Sequence, residues 1–354
     1  MAKVEDFRLE QLKQWASTLT SLQACDLSRL VPASSDASFR RYFRLACREV
    51  SYIFMDAPPD KEDCVPFVQV AMQLQQLGVR VPAIFAKDLA QGFLLLEDLG
   101  RETLFDRLKQ ATETEVEAWY RSALDILVQL QQQAALPKYQ GLVQSLPDYS
   151  EALLRQEMAL FTDWLLQKHL QIVLSPLEKQ AWQSLVTMLV EVAGHQPRTY
   201  VLRDYHSRNL MVLSASTQAA KLGVLDFQDA VQGPLTYDAI SLLRDCYQRW
   251  PYEQVMEWQR YYFLSLQAGS GAGDFAKLDW ADFQKWMDFM GMQRHLKAAG
   301  IFARLFYRDG KAGYLADIPN TLQYVYEVGQ GYRETLALVR LLESRILPAM
   351  EAVS

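Results

Sequence analysis

The chain has 354 residues, of which 50% are apolar or aromatic and 22% are charged. This length accommodates two domains, or one bilobal unit with a sizeable core. The formal net charge of −6 argues against general binding to a phosphate backbone, which needs a basic surface, so we expect no nucleic-acid partner.

The cysteines and the apolar runs bear on the cellular compartment in which the protein is expected. The four cysteines, Cys25, Cys47, Cys64 and Cys246, include no closely spaced pair. This argues against a cysteine-based zinc site and fits a reducing cytoplasm. The N-terminus lacks the apolar core of a signal peptide, and no stretch approaches about 18 uninterrupted apolar residues. We therefore expect a soluble cytoplasmic protein with no membrane partner, while the oligomeric state stays open.

The first hundred residues mix helical and strand-like patterns. Apolar residues at helical spacing predict a helix within residues 3–24. Short β-rich runs follow at LSRLV, FRRYFRL and VSYIFM, and the small polar loop PASSDAS joins the first two. Residues 63–77 return to a helical period. Residues 79–85 and 92–96 are predicted as two more strands, and the fully apolar second one is predicted to be central.

After Gly100 the pattern becomes mostly helical. Capping signals predict three helices, which span residues 112–133, 150–169 and 175–194. Short strands are predicted around residues 200–202, 210–213 and 222–226. The chain from Tyr237 onward is predicted to be helical. The change of pattern at Gly100 therefore indicates a boundary between two lobes.

The stretch YVLRDYHSRNLMVL places a polar turn between two apolar runs. Asp204 and Asn209 lie five residues apart in this turn, and Asp226-Phe227 closes the next strand. Phosphoryl transfer needs a carboxylate to accept the proton of the substrate hydroxyl, and hard oxygen ligands for Mg²⁺. Kinases supply these groups as a loop Asp, an Asn five residues later and a DF dipeptide. Asp/Asn-rich turns also serve as local hydrogen-bonding devices, but the combined spacing favours a kinase catalytic loop.

The motifs RDYHSRNLM and GVLDFQDAVQGPLTYDAISLLRDC resemble the aminoglycoside-phosphotransferase-like kinases. Within that family they are most similar to the N-acetylmuramate/N-acetylglucosamine anomeric (1-)kinases of bacterial cell-wall recycling. ASFRRYFRL, MDAPPDKED and GFLLLEDLG carry the same likeness. The resemblance implies an α+β, bilobal protein-kinase-like fold. Its small β-rich nucleotide-binding lobe would span residues 1–99 and its large, mostly helical catalytic and substrate-binding lobe residues 100–354, with a ligand cleft between them.

The resemblance also implies roles for individual residues. Asp204 would be the catalytic base, and Asn209 and Asp226 would be ligands of Mg²⁺, with ATP as the phosphate donor. Glu97 and Leu99 match the lobe connector, whose backbone would hold adenine. Asp238 matches an Asp that braces the catalytic loop.

Four further residues are assigned to substrate binding. His206 matches a second His of the family's loop, although a structural role is an open alternative. Asp229 lies in the DFQDA stretch that carries the resemblance. Glu157 and Trp164 share a predicted helical face on which a carboxylate and an indole could grip a sugar. A core-facing stripe is the alternative for that face.

Two positions depart from the family pattern. Leu202 replaces a His that usually supports the loop. In addition, the strand VSYIFMD lacks the lysine that kinases place there for the nucleotide phosphates, so the triphosphate needs another cation. The candidates are Arg40, Arg41 and Arg44. We predict that Arg41 binds the phosphates, with Arg44 as second choice, and salt bridges are the alternative for these arginines. The loop SSDAS has no glycine, so its hydroxyl and backbone N–H groups would cover the phosphates.

These features predict an ATP- and Mg²⁺-dependent sugar kinase. Its substrate would be the anomeric hydroxyl of N-acetylmuramate, N-acetylglucosamine or both. One alternative is a phosphotransferase for aminoglycoside antibiotics or other small alcohols. A second is a catalytically degenerate nucleotide-binding protein, which the missing lysine favours and the intact Asp204, Asn209 and Asp226 oppose.

Overall fold

The chain divides into two compact units. A computed structural model describes residues 6–35, 39–213, 221–269 and 273–353. Unit 1 consists of Met1–Thr103 and Met211–Asp229, and unit 2 consists of Leu104–Leu210 and Ala230–Ser354. Unit 1 is discontinuous, a feature that the predicted division into residues 1–99 and 100–354 does not include.

Unit 1 is built on a five-stranded antiparallel sheet. The strands are β1 (Val31–Ser35), β2 (Arg41–Cys47), β3 (Val50–Asp56), β4 (Ile84–Asp88) and β5 (Phe93–Glu97). Their order is β1-β2-β3-β5-β4, so the apolar strand β5 lies inside the sheet, as predicted. The two helices are α1 (Phe7–Ser17) and α2 (Val65–Gln76). Asp6 begins α1 by accepting a hydrogen bond from the Leu9 N–H.

One face of the sheet is covered by α1. Its side chains Leu12 and Ala16 are fully buried in a cluster with the alternate residues of the three neighbouring strands. These residues are Phe43, Leu45, Phe54, Phe93 and Leu95. Because side chains alternate across a strand, Arg41 lies on this covered face, whereas Tyr42 and Arg44 lie on the opposite face.

The start of the sheet differs from the sequence prediction. Asp26 caps a 3₁₀ turn at Leu27–Arg29, so the LSRLV run becomes a strand only at Val31. Part of the predicted polar loop PASSDAS belongs to β1, and residues 36–38 lie outside the described part of the chain.

Two further local predictions need correction. The predicted strand at 79–85 begins only at Ile84, because the Arg80 carbonyl accepts a hydrogen bond from the Val224 N–H at 2.8 Å instead of joining the sheet. Cys25 and Cys47 form a disulfide, which their 22-residue separation did not suggest. This pair gives no support to the predicted reducing compartment, since disulfides are rare there.

Unit 2 is mostly helical, as predicted. Its helices are α3 (Leu104–Leu108), α4 (Glu113–Ala135), α5 (Gln140–Gln144), α6 (Glu151–Leu160), α7 (Pro176–His195), α8 (Tyr237–Leu243), α9 (Tyr252–Gln267), α10 (Trp280–Asp309), α11 (Ile318–Gln330), α12 (Leu336–Leu341) and α13 (Leu347–Val353). The capping boxes predicted at Thr112 and Ser175 are present. A π-helical segment, Phe161–His169, continues α6.

The central helix α10 approaches the junction of α6 and the π-helix very closely. A Cβ atom at Gly300 would lie 2.3 Å from the Leu160 carbonyl carbon, so only glycine allows this contact.

Two short strand pairs complete the architecture of the described residues. In unit 2, β6 (Arg198–Val201) pairs with β9 (Val231–Pro234) in an antiparallel arrangement. The strand β7 (Leu210–Val212), at the point where the chain passes from unit 2 to unit 1, pairs with β8 (Leu222–Val224). Across the described ranges, no helix is long and apolar enough to cross a membrane.

Candidate active site

The polar turn of residues 202–209 leaves β6 and enters β7, and we call it the catalytic loop. Its first residues are held by Asp238 of α8. The two carboxylate oxygens of Asp238 accept the backbone N–H groups of Leu202 and Arg203 at 2.7 and 2.9 Å. This is the bracing contact predicted for Asp238. Arg203 has a φ of 72°, a conformation that a non-glycine residue adopts only when its surroundings enforce it.

A second carboxylate holds the far half of the loop. Asp245 accepts the Ser207 N–H at 3.0 Å and also the Ser207 hydroxyl. Its other oxygen accepts the Tyr247 N–H at 3.0 Å. Asp245 is fully buried, and its contact with the loop was not predicted from the sequence. The available signal was its position seven residues after Asp238, about two helical turns further along the chain.

Asp204 lies between these two braces. Its backbone carbonyl accepts a hydrogen bond from the Asn209 amide nitrogen at 3.0 Å, which links the two ends of the predicted Asp-x-x-x-x-Asn motif. Because the amide nitrogen faces the backbone, the amide oxygen is the atom that would bind a cation. Cationic side chains within electrostatic range of Asp204 include Arg203, Arg294 and Lys297.

His206 lies inside the loop. Its Nε2 atom is 3.4 Å from the Asn209 amide nitrogen, and its ring packs against Tyr247. Burial lowers the pKa of His206, and nearby Asp245 and Asp204 oppose this only in part, which favours the neutral imidazole. Its Nδ1 atom is buried and has no hydrogen-bond partner among the described residues. Its assignment to substrate binding stays a prediction, and the contact with Asn209 supports an orienting role.

Glu157 is buried in unit 2 among polar partners. Its carboxylate pairs with Arg203 and with Lys297, the latter at 2.9 Å, and accepts the Tyr149 hydroxyl. Burial raises the pKa of Glu157, but the charges of Lys297 and Arg203 outweigh this and lower it overall. Glu157 therefore supports the residue that precedes Asp204, and its predicted contact with a sugar remains untested.

Trp164 lies on the π-helical segment, where it is half-buried. Because a π-helix has more residues per turn than an α-helix, the α-helical spacing that predicts a shared face for Glu157 and Trp164 does not apply across this segment. The Phe161 ring between them stacks on Trp182 with centroids 5.3 Å apart. The core-facing alternative fits this arrangement.

Asp226 follows β8 in unit 1. It has a φ of 57°, and Gln228 donates hydrogen bonds to Asp226 at 2.8 Å and to Asp229 at 3.2 Å. Phe227 is fully buried, and its ring lies against Phe67 of α2 with centroids 4.9 Å apart. The strained backbone and these contacts hold the Asp226 carboxylate in a defined position.

The predicted phosphate-binding arginines are each held by carboxylates of unit 1. Arg41 binds Asp56 at 3.0 Å and also pairs with Asp6. Arg44 binds Asp98 at 2.6 Å and 2.9 Å. These pairs tie α1 to the sheet and fix the connector after β5. The salt-bridge alternative thus describes both arginines, and their predicted contacts with phosphate remain predictions.

The predicted adenine-binding segment follows β5. The side chain of Glu97 pairs with Arg80, which lowers the Glu97 pKa, and the Glu97 N–H donates to the Ala83 carbonyl at 2.8 Å. Leu99 is buried and lies over Gly223. A Cβ atom at Gly223 would be 2.6 Å from the Leu99 side chain, so the glycine makes room for this connector.

The donor groups suit a magnesium ion that is bound together with a nucleotide. Among the described residues, no group of three or more His, Cys, Asp or Glu side chains could hold a metal on its own. Mg²⁺ in kinases is held by one or two carboxylate or amide oxygens together with phosphates and water. Asp226 of unit 1 and Asn209 of unit 2 each carry an oxygen donor of this kind, so the chemistry of each side chain suits the ion.

A family model described as "Phosphotransferase enzyme family" matches residues 29–279. The chain belongs to the phosphotransferase enzyme family. It is 42% identical to an N-acetylmuramate/N-acetylglucosamine kinase of Pseudomonas aeruginosa over 347 residues, which cover 96% of this chain and 97% of the relative. A kinase of the same name from Neisseria meningitidis is 38% identical, with 94% of each chain covered.

Solved structures of phosphotransferases have the same fold. An ADP-bound aminoglycoside phosphotransferase aligns with a TM-score of 0.56 over 91% of this chain and 99% of its own, at 15% identity. An ethanolamine kinase of Plasmodium vivax aligns with a TM-score of 0.60 over 98% and 99% of the two chains, at 9% identity. These likenesses confirm the predicted kinase-like fold, and the family confirms that the chain is a phosphotransferase.

Proposed function

We propose that this phosphotransferase transfers the γ-phosphate of ATP to the anomeric hydroxyl of N-acetylmuramate, N-acetylglucosamine or both. The observation that carries the proposal is the doubly braced catalytic loop, in which Asp238 and Asp245 hold the backbone on both sides of Asp204. Such bracing fixes a carboxylate where a substrate hydroxyl must be oriented. The names of the relatives supply the substrate class.

In this proposal Asp204 accepts the proton of the attacking hydroxyl. The anomeric hydroxyl is more acidic than the other hydroxyls of a sugar, which makes a carboxylate an adequate base. Asn209 and Asp226 would hold Mg²⁺, which neutralises phosphate charge when it is bound with the nucleotide. The backbone of Glu97 and Leu99 would contact adenine. Because ATP is a cytoplasmic metabolite, we propose that the enzyme acts in the cytoplasm on a small-molecule sugar.

The N-acetyl group provides the proposed specificity. It offers one hydrogen-bond donor and one acceptor, and a site that pairs both rejects sugars without them by large factors. His206, Asp229, Glu157 and Trp164 remain the residues proposed to contact the sugar. Because Glu157 also pairs with Arg203 and Lys297, it supports the catalytic loop as well.

The test is release of ADP from Mg-ATP in the presence of single acceptors. We expect turnover with N-acetylmuramate or N-acetylglucosamine, poor turnover with glucose, and none with the 1-O-methyl glycoside of N-acetylglucosamine. The glycoside is the matched control because it blocks only the anomeric oxygen. Turnover of the glycoside, or preference for kanamycin-like compounds, would contradict the proposal and favour an antibiotic or other alcohol as substrate. No turnover with any acceptor would favour the degenerate kinase.

A further inference from the structure

Arg40 forms a buried ion pair beside the Asp226 segment in unit 1. Its guanidinium lies 3.0 Å from the Glu62 carboxylate, and the two side chains are only 9% and 13% exposed. Glu62 also accepts the Phe39 N–H at 3.1 Å, so its position is fixed from a second direction. Because burying an unpaired guanidinium costs free energy, an arginine this little exposed needs a carboxylate partner, which Glu62 provides.

The surroundings of Arg40 are rich in carboxylates. Burial by itself lowers the pKa of Arg40, but nearby acidic groups outweigh it and raise the pKa. These groups are Tyr42, Glu62, Asp229 and Asp226. One guanidinium is thus paired with Glu62 and lies within electrostatic range of two further carboxylates, an excess of negative charge that a divalent cation would offset.

The same region is tied together by packing. Glu62 lies just before α2, and Phe67 of that helix packs on Phe227, the residue next to Asp226. Gln228 links the carboxylates of Asp226 and Asp229. Protein kinases pair a lysine of the third strand with a helix glutamate. Their activity requires both this pair and the metal-binding Asp. Here the third strand VSYIFMD has no lysine, and Arg40 and Glu62 provide an ion pair of the same chemical type.

We propose that Arg40, held by Glu62, is the residue that binds the nucleotide phosphates. This inference rests on the proposed nucleotide-dependent function and replaces Arg41 as the preferred cation. The planar guanidinium suits two phosphate oxygens at once. Arg41 lies on the sheet face that α1 covers and binds Asp56. Arg44 and Lys61 also pair with carboxylates, namely Asp98 and Asp60. Arg40 is preferred to them because it lies within electrostatic range of Asp226 and Asp229.

The test compares how the protein binds adenosine, Mg-ADP and Mg-ATP, measured by calorimetry without sugar. For Arg40→Ala we expect the Kd of Mg-ADP and Mg-ATP to rise about 10- to 100-fold, as for a lost charged hydrogen bond. The Kd of adenosine should stay within about twofold, because adenosine carries no phosphate. Arg40→Lys should keep part of the affinity, and Glu62→Gln should lose less than Arg40→Ala.

Parallel measurements on Arg41→Ala and Arg44→Ala decide between the arginines. A larger loss of Mg-ADP affinity in either of these than in Arg40→Ala would overturn the inference. So would an unchanged Mg-ADP affinity in Arg40→Ala, or an equal loss for adenosine, which indicates a structural defect. Because no sugar is present, failure of the proposed substrate leaves this result interpretable. If Arg40→Ala does not fold, the ratio of ADP to adenosine affinity in Arg40→Lys and Glu62→Gln decides.

Discussion

The catalytic loop of unit 2 and the arginine-rich segment 40–44 of unit 1 are stabilised in different ways. In the loop, buried carboxylates accept backbone N–H groups, as Asp238 does from Leu202 and Arg203. In segment 40–44, arginine side chains pair with carboxylates from distant parts of the chain, such as Asp98 for Arg44. The first arrangement fixes the backbone. The second fixes side chains, so the role of each arginine depends on the carboxylate with which it pairs.

This difference explains why the two regions were not equally predictable. A residue's role in the loop follows from its spacing, because the loop is short and its backbone is fixed. The role of an arginine in segment 40–44 depends on which distant carboxylate faces it. Variants of single residues in the two regions test that contrast.

Removing the proposed metal-binding carboxylate of unit 1 should have the largest effect. Asp226→Ala is expected to abolish Mg²⁺-dependent turnover, since the phosphates lose their bridging ion. Asn209→Ala should lose less, because other ligands remain. The measurement is turnover as a function of Mg²⁺ and Mn²⁺ concentration, with the exposed Asp60→Ala as control. Wild-type metal dependence in both Asp226→Ala and Asn209→Ala would refute the ligand assignment.

Removing the proposed base in the loop should be the next largest change. Asp204→Asn is expected to lower kcat by about 10²- to 10⁴-fold, the usual contribution of general acid–base catalysis, while the melting temperature stays close to that of the parent. Steady-state kinetics with Asp282→Asn, an exposed aspartate of α10, provide the control. Turnover within a few-fold of the parent would remove Asp204 from the mechanism.

Loosening the second brace should have an intermediate effect. Ser207→Ala deletes the hydroxyl that donates to Asp245. This should cost about 1–3 kcal/mol of unfolding free energy, as for a buried carboxylate that loses a partner, and should lower kcat more than it changes KM for ATP. Ser241→Ala is the matched control, because the buried Ser241 hydroxyl has no hydrogen-bond partner among the described residues. Equal stability losses in the two variants would show that the hydrogen bond to Asp245 adds nothing to the free energy of unfolding.

The smallest effect concerns the acid stability of unit 2. Burial and the adjacent Arg294 lower the pKa of His295 to about 3. Between pH 6.5 and 3 the unfolded chain therefore binds a proton that the folded chain does not, and stability falls as the pH falls. His295 alone should cost about 2 kcal/mol on going from pH 7.5 to 5. Urea unfolding at both pH values should show a flatter pH dependence in His295→Gln than in the exposed control His195→Gln. An unchanged slope in His295→Gln would contradict this.

The sequence predicted most of the fold because its signals are local. A capping box marks the start of a helix at Thr112 and at Ser175, and alternating side chains mark the strand β2. Each signal consists of residues that lie close together in the sequence. Features that depend on distant partners could not be predicted. The strand β9 and the Cys25–Cys47 disulfide depend on segments brought together only by folding.

The same limit applies to the active site. Asp204, Asn209 and Asp226 follow a fixed spacing, so they can be proposed as site residues from the sequence alone. Asp245 was missed because its partner, Ser207, lies 38 residues away. Arg40 was not the arginine preferred from the sequence, because its proposed role depends on pairing with Glu62, which no local pattern connects to it.

The position of the phosphate in the product shows whether the acceptor is the anomeric oxygen. We would incubate the wild-type protein with Mg-ATP and N-acetylglucosamine or N-acetylmuramate and record proton and phosphorus NMR spectra of the purified product. The account predicts coupling between phosphorus and the proton on C1. Coupling to the protons on C6 or another carbon, or an unmodified sugar while kanamycin is phosphorylated, would contradict it.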